Sequence, residues 1–164
     1  MFDAVKLQKL LPTDFIQLVI DNIGLNPEEY TLGYATAKVS YIMGNFIALE
    51  SRGGFYKSLY TVYLDIAKKM QNASLRNQLF DFAIAFGDSS SDEADQQGLE
   101  EMLKAGQVEC ANGNIHKFTK RQRYGIIRGI FKNATKTLEE KEEYLNAEMK
   151  IDYSDVDELR KLQC

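Results

Sequence analysis

No stretch of this chain leaves fewer structural options than Ser58 to Phe86. Leu59, Val62, Tyr63, Ile66 and Met70 recur at helical spacing, and Leu75, Leu79, Phe82, Ala83 and Phe86 resume it beyond a break near Asn72. Phe80 and Ile84 fall on the opposite side of the second half. A helix apolar on both faces has to lie between neighbours rather than at a surface. The segment therefore predicts an all-α fold built around it.

The flanking sequence supplies those neighbours. Asp3 can cap a short helix ending at Pro12, and Thr13 a second over Asp14 to Ile23, with Phe15, Leu18, Val19 and Ile23 on one face and Gly24 as the stop. Asn26, Pro27, Glu28 and Glu29 make the strongest helix start: a capping side chain, a proline where no amide donor is needed, and two carboxylates at the positive end of the dipole. That helix is expected to reach about Glu50, before Gly53 and Gly54, and Gly87 is expected to close the central one. The polar stretch 88–98 reads as a loop or linker, with Asp92, Glu93 and Asp95 suited to the first turn of a helix that ends at Lys104 or Ala105 and is stopped by Gly106.

Asn112 and Gly113 then form a two-residue hairpin turn within about 107–118, which would pair Cys110 with Ile115 and Glu109 with His116. Thr119 and Gln122 make a capping box for a helix to about Ala134. Thr137 caps another from Leu138 to about Lys150, and 151–164 reads as a frayed tail. The expected architecture is a single domain over 1–150, a compact bundle of six or seven helices with one small β-hairpin.

Composition excludes several classes. With 45% hydrophobic residues, nine Phe and nine Tyr among 164 residues, the chain can form a substantial core without disulfides or metals. Its longest purely apolar run, Phe82 to Phe86, is far short of the roughly 20 residues that cross a bilayer, so no membrane partner is expected. Met1 to Pro12 carries Asp3, Lys6 and Lys9 and lacks the uninterrupted apolar region of a signal peptide. Cys110 and Cys164 offer no disulfide framework. The expectation is a soluble cytoplasmic protein with free thiols.

Charge is sorted along the chain. Lys117, Lys120, Arg121, Arg123, Arg128, Lys132 and Lys136 lie in a stretch with no carboxylate between Glu109 and Glu139, although the whole chain has a net charge of −4. Wound at ~100° per residue, Lys120, Arg121, Arg128, Lys132 and Lys136 share one arc, and Tyr124, Ile127, Ile130, Phe131 and Ala134 another. Arg123 alone falls on the apolar side. Gly125 and Gly129 border the basic arc, which suits a close approach by some other group. Lys117, Lys120, Arg121, Arg128, Lys132 and Lys136 are thus candidates for holding nucleic-acid phosphates or another anion, with the hairpin as a second contact. The competing reading pairs them with the chain's own acids in 88–101 and 139–148.

Catalytic chemistry has little to work with. His116 is the only histidine, so any nucleophile–base arrangement would have to use it. In the expected hairpin it faces away from Cys110 and pairs with Glu109. One His and two Cys do not complete a structural zinc site, and no cofactor is expected. Glu139, Glu142 and Glu143, followed by Asp152, Asp155 and Glu158, place carboxylates at i and i+3, where they share a helix face and can hold Mg2+. This pattern resembles that of the all-α nucleoside triphosphate pyrophosphohydrolases, which combine a Glu-x-x-Glu pair with a later Glu-x-x-Asp pair. Here Asp155 and Glu158 stand in reversed order. The resemblance implies Mg2+-dependent hydrolysis, with Glu139, Glu142, Asp155 and Glu158 as metal ligands.

The order helix, hairpin, helix over Leu99 to Ala134 resembles the second half of a winged-helix domain. The helix that would enter the groove carries Asp92, Glu93, Asp95, Glu100 and Glu101, which repel DNA. Tyr30, Tyr34, Tyr41, Tyr56 and Tyr60 have the spacing of core residues, and any left exposed would serve as anchors for a partner. The sequence thus favours a non-catalytic protein that acts through protein–protein interaction, as a regulator, inhibitor or assembly component. Nucleic-acid binding through 117–136 comes second and the Mg2+-dependent hydrolase third, and nothing in the sequence sets the oligomeric state.

Overall fold

The doubly apolar segment becomes a helical hairpin, α4 (Arg52–Lys69) and α5 (Ala73–Ser89), in the computed structural model, which describes residues 2–25, 28–133 and 135–151. Asn72 makes the break, its side chain accepting a hydrogen bond from Leu75 N at 3.1 Å to cap the second helix. Before the hairpin come α1 (Phe2–Lys6), α2 (Pro12–Asn22) and α3 (Glu29–Phe46), and after it α6 (Glu93–Ala105), β1 (Gln107–Glu109), β2 (Ile115–Lys117), α7 (Lys120–Lys132) and α8 (Leu138–Met149). α5 packs against α4, α6 and α7, and its Leu79, Phe80, Ala83, Ile84 and Phe86 are all buried. Among the described residues the result is an all-α bundle with one small antiparallel hairpin, as the spacing predicts.

Several boundaries differ from the sequence expectation, each for a local reason. α1 stops at Lys6 with Asp3 inside its first turn, and α2 starts at Pro12 rather than after a Thr13 cap, because proline suits the first helical position. α3 ends at Phe46, where Ile47 turns extended and buries its side chain, short of Glu50. Gly53 and Gly54 lie within the first turn of α4. Gly87 lies inside α5, where a Cβ would stand 2.9 Å from the Tyr60 ring, so its bareness lets Tyr60 close over the helix. The expected loop 88–98 contracts to 90–92. Asp92 caps α6 through Ala94 N and Asp95 N, and the Ser90 hydroxyl donates to buried Asp95 at 2.6 Å. Polarity there marks a cap and a buried hydrogen bond. The expected start at Asn26 and Pro27 and the tail beyond Ile151 lie outside the described residues.

Gly106 ends α6 at φ 69°, the left-handed conformation expected of the stop glycine. The strands that follow pair one residue away from the expected register: Glu109 opposes Ile115, and Val108 opposes His116. Ala111–Gly113 form a 3-10 turn, closed by Cys110 N donating to Asn114 O at 2.7 Å, in place of a two-residue turn. A slip of one residue reverses which side chains face inward. His116 and Cys110 are consequently both buried, and Glu109 does not face His116.

Candidate binding surfaces

The capping box of α7 forms as expected, and Gln122 does more than cap. Its Oε1 accepts from Thr119 N at 3.1 Å, and its Nε2 donates to Asn77 O and Oδ1, both at 3.1 Å, which fixes the amide orientation. His116 Nε2, 3.1 Å from that same Oε1, is therefore the proton donor. The imidazole stacks on Phe80 with centroids 4.2 Å apart and planes 13° from parallel. Burial pushes its pKa below the usual value. His116 is thus a packed, hydrogen-bonded side chain joining the hairpin to α5 and α7.

α7 keeps Ile127 and Ile130 inward, as the spacing predicts, but turns Tyr124 and Phe131 of the expected arc partly outward. Gln122, Arg123, Ile126, Ile127 and Ile130 are buried, while Tyr124 and Phe131 are 38% exposed. The glycines explain the rotation. A Cβ on Gly125 would stand 3.0 Å from Ile84 Cγ2, and one on Gly129 would stand 3.3 Å from Asp88 Cα. The close approach that those glycines permit is made by α5. Ala134 lies outside the described residues.

The structure brings Arg128, Lys132 and Lys136 onto the chain's own acids. Arg128 Nε and Nη2 lie 2.9 and 2.8 Å from Asp88 Oδ2, and Lys132 Nζ lies 2.9 Å from both oxygens of the same carboxylate. Lys136 Nζ is 2.9 Å from Glu100, which also accepts from Tyr144 Oη at 2.9 Å. Its hydrogen bond to Glu100 raises the Lys136 pKa. Arg123, the cation that strayed onto the apolar side, is buried. It makes three contacts of 2.7 to 3.0 Å with Glu148 of α8, and its Nη1 donates to Leu103 O at 3.0 Å. Lys117, Lys120 and Arg121 are exposed at the hairpin and the first turn of α7.

Asp88 is the residue that sequence reasoning misplaced. It stands at i+4 from Ile84 and i+8 from Phe80, so an α5 running past Gly87 carries its carboxylate in line with two core side chains. A buried carboxylate requires cations, and Arg128 and Lys132 form an i, i+4 pair on the neighbouring helix.

A second surface lies on α3. Tyr34, Tyr41 and Phe46 are 51%, 45% and 42% exposed. The Phe2 ring packs edge-on to Tyr41 with centroids 5.6 Å apart, and Tyr41 meets Phe46 at 6.1 Å. Lys38 Nζ sits 4.2 Å from the Phe2 centroid and 5.0 Å from that of Tyr34, and Lys6 Nζ sits 4.7 Å from Phe2 and 5.7 Å from Tyr41. Rings and ammonium groups thus alternate across α1 and α3, each contact stabilised by roughly 0.5–1 kcal/mol at an exposed site. Of the other tyrosines singled out, Tyr60 is core and Tyr56 is half-buried. The Tyr30 side chain lies outside the described residues.

Glu139 and Glu142 are exposed on α8, and Asp155 and Glu158 lie outside the described residues, so only half of the Mg2+ pattern has a position here. Among the described residues no three His, Cys, Asp or Glu side chains gather closely enough to hold a metal ion. No described helix is long and apolar enough to cross a membrane. Comparison with protein-family models, with curated proteins and with solved structures returns no match to this chain.

Proposed function

We propose that this chain is a non-catalytic binding protein that engages a protein partner through the outer face of α3, as a regulator, inhibitor or assembly component. The alternating array of Tyr34, Lys38, Phe2, Lys6, Tyr41 and Phe46 carries this reading. Aromatic residues are enriched at the centres of interfaces. Here the rings are already held by neighbours, which lowers the side-chain entropy lost on docking. The two ammonium groups among the rings favour a partner whose apolar anchor is rimmed by carboxylates. The polar groups gathered around α7, including His116, Gln122, Arg123 and Asp88, are engaged in joining helices, which supports a non-catalytic role. Buried, free Cys110 suits the reducing cytoplasm.

Site-specific photo-crosslinking tests the reading. A photoreactive phenylalanine at Tyr41 should give one discrete adduct in host extract, and the same probe at Glu142 of α8 should not. Adding Tyr34→Ala and Phe46→Ala should abolish the adduct while far-UV circular dichroism is unchanged. The same adduct from both positions, or none from Tyr41, would count against it. Exposed Lys117 and Arg121 beside the hairpin favour nucleic-acid binding as the second reading. A nuclease-sensitive adduct at a probe on Arg121 would promote it.

A further inference from the structure

A cleft of about 410 Å³ opens where α3, α4, α5 and α7 meet, lined by Ser40, Tyr56, Asp88, Ser89, Arg128 and Lys132. Small-molecule sites occupy roughly 300–1,000 Å³, so the space suits a compact ligand. Its floor is charged in an unusual way. Arg128 and Lys132 share the single buried carboxylate of Asp88, while their own side chains remain 63% and 55% exposed. Two cations against one carboxylate leave a net positive charge at the mouth.

That arrangement also fixes the cations. Asp88 is set in place by the close contact of α5 with Gly129, and it holds the guanidinium and the ammonium side by side. Arg128 directs Nε and Nη2 at Asp88, and the rest of its fork is not needed there. A pair of cations held side by side on one carboxylate, with donors to spare, matches an oxyanion carrying more than one charge. Ser40 and Tyr56 also line the cleft and bring further hydroxyls to it, and the Tyr56 ring packs near that of Phe86, with centroids 6.4 Å apart, as the apolar part of the lining.

We propose that this cleft binds a small phosphomonoester that carries a flat ring, of the nucleoside monophosphate kind. The phosphate sits between Arg128, Lys132 and Ser40, and the ring lies against Tyr56. This inference is independent of the protein-binding face, which lies among the aromatic residues of α1 and α3.

Heteronuclear NMR on the labelled full chain tests it, with inorganic phosphate and adenosine monophosphate as separate probes at low ionic strength. Both should give saturable shifts at Ser40, Ser89 and Arg128 to Lys132. Adenosine monophosphate should also move Tyr56 and saturate at a concentration at least about ten-fold lower. Ser40→Glu places a carboxylate at an exposed position of the same cleft lining, so it should abolish both titrations at an unchanged melting temperature. Arg128→Gln should weaken binding about ten-fold, and Arg128→Lys should restore most of it. Shifts scattered over surface lysines, or persisting in Ser40→Glu, would overturn the site. Equal affinity for the two probes would overturn the ring. Tighter binding of a single-stranded oligonucleotide than of the mononucleotide would give the cleft to nucleic acid and overturn the small-ligand proposal.

Discussion

Gly33 and Gly125 both lie inside helices, and replacing each by alanine should move stability in opposite directions. In a helix interior alanine is favoured over glycine by ~1 kcal/mol, mainly because the unfolded glycine has more conformations to lose. At Gly33 of α3 a new Cβ meets only Gln78 Nε2 at 3.7 Å, an ordinary contact, so nearly all of that preference should appear as stabilisation. A gain of ~1 kcal/mol raises the melting temperature of a chain this long by about 2–4 °C. At Gly125 of α7 the same methyl would stand 3.0 Å from Ile84 Cγ2. Ile84 is buried on α5, and a β-branched side chain in a helix has essentially one χ1 rotamer, so it cannot turn aside. Relief requires α5 and α7 to separate by several tenths of an ångström. Overpacking of this kind costs ~1–3 kcal/mol, which exceeds the helix preference. Gly125→Ala should therefore lose about 1 kcal/mol net. Urea unfolding followed at 222 nm measures both variants. If Gly125→Ala were stabilised as much as Gly33→Ala, the inward face assigned to α7 would be wrong, and the ion pairs on Asp88 would go with it.

The remaining predictions concern charge. Glu148→Ala leaves the Arg123 guanidinium buried without its carboxylate and should cost about 3 kcal/mol in urea unfolding, whereas replacing the pair together by Met and Leu should recover most of that; a loss under ~0.5 kcal/mol, the usual scale for surface positions, would mean that α8 does not close over Arg123. Lys132→Glu sets a carboxylate against buried Asp88 and should lower the urea midpoint, while Lys117→Glu at the exposed end of β2 should stay within ~0.5 kcal/mol of wild type; equal effects would refute internal pairing. His116, with its pKa held below 6.5 by burial, binds its proton more weakly in the folded chain than in the unfolded one. Its contribution is therefore intact above pH 6.5 and is lost as pH falls below that value towards the folded pKa. The drop in urea midpoint between pH 7.5 and 5.5 should shrink in His116→Gln, and an unchanged drop would place the linkage on other groups.

What could be read from the sequence was mostly local, because caps and periodicity are local. Asn72, Gly106, Thr119 and Thr137 each act on a backbone group within a few residues, and each appears where its chemistry placed it. The hairpin register and the burial of Gln122, Arg123 and Ile126 on α7 escaped because both depend on what packs from a distance. Phe80 draws His116 inward, and Ile84 and Asp88 fit against glycines that spacing alone treats as gaps. The same distance dependence reshapes the charge argument. A stretch of seven cations without a carboxylate suggests a polyanion stripe, yet Asp88, Glu100 and Glu148, all from the flanking acidic segments, each take cations from it. Segregation along the chain thus becomes pairing in space, and four of the seven cations hold α5, α6 and α8 to the region of α7. The proposed protein-binding face rests instead on groups whose spacing resembles that of a core. Tyr34 and Tyr41 stand at i and i+7 of α3, as buried residues would, and nothing in α3 alone tells them apart from buried Val39 or Ile42. Their distinction comes from their neighbours: α1 sets Phe2 and Lys6 beside Tyr41, Lys38 lies over the Tyr34 ring, and the two tyrosines stay 45% and 51% exposed.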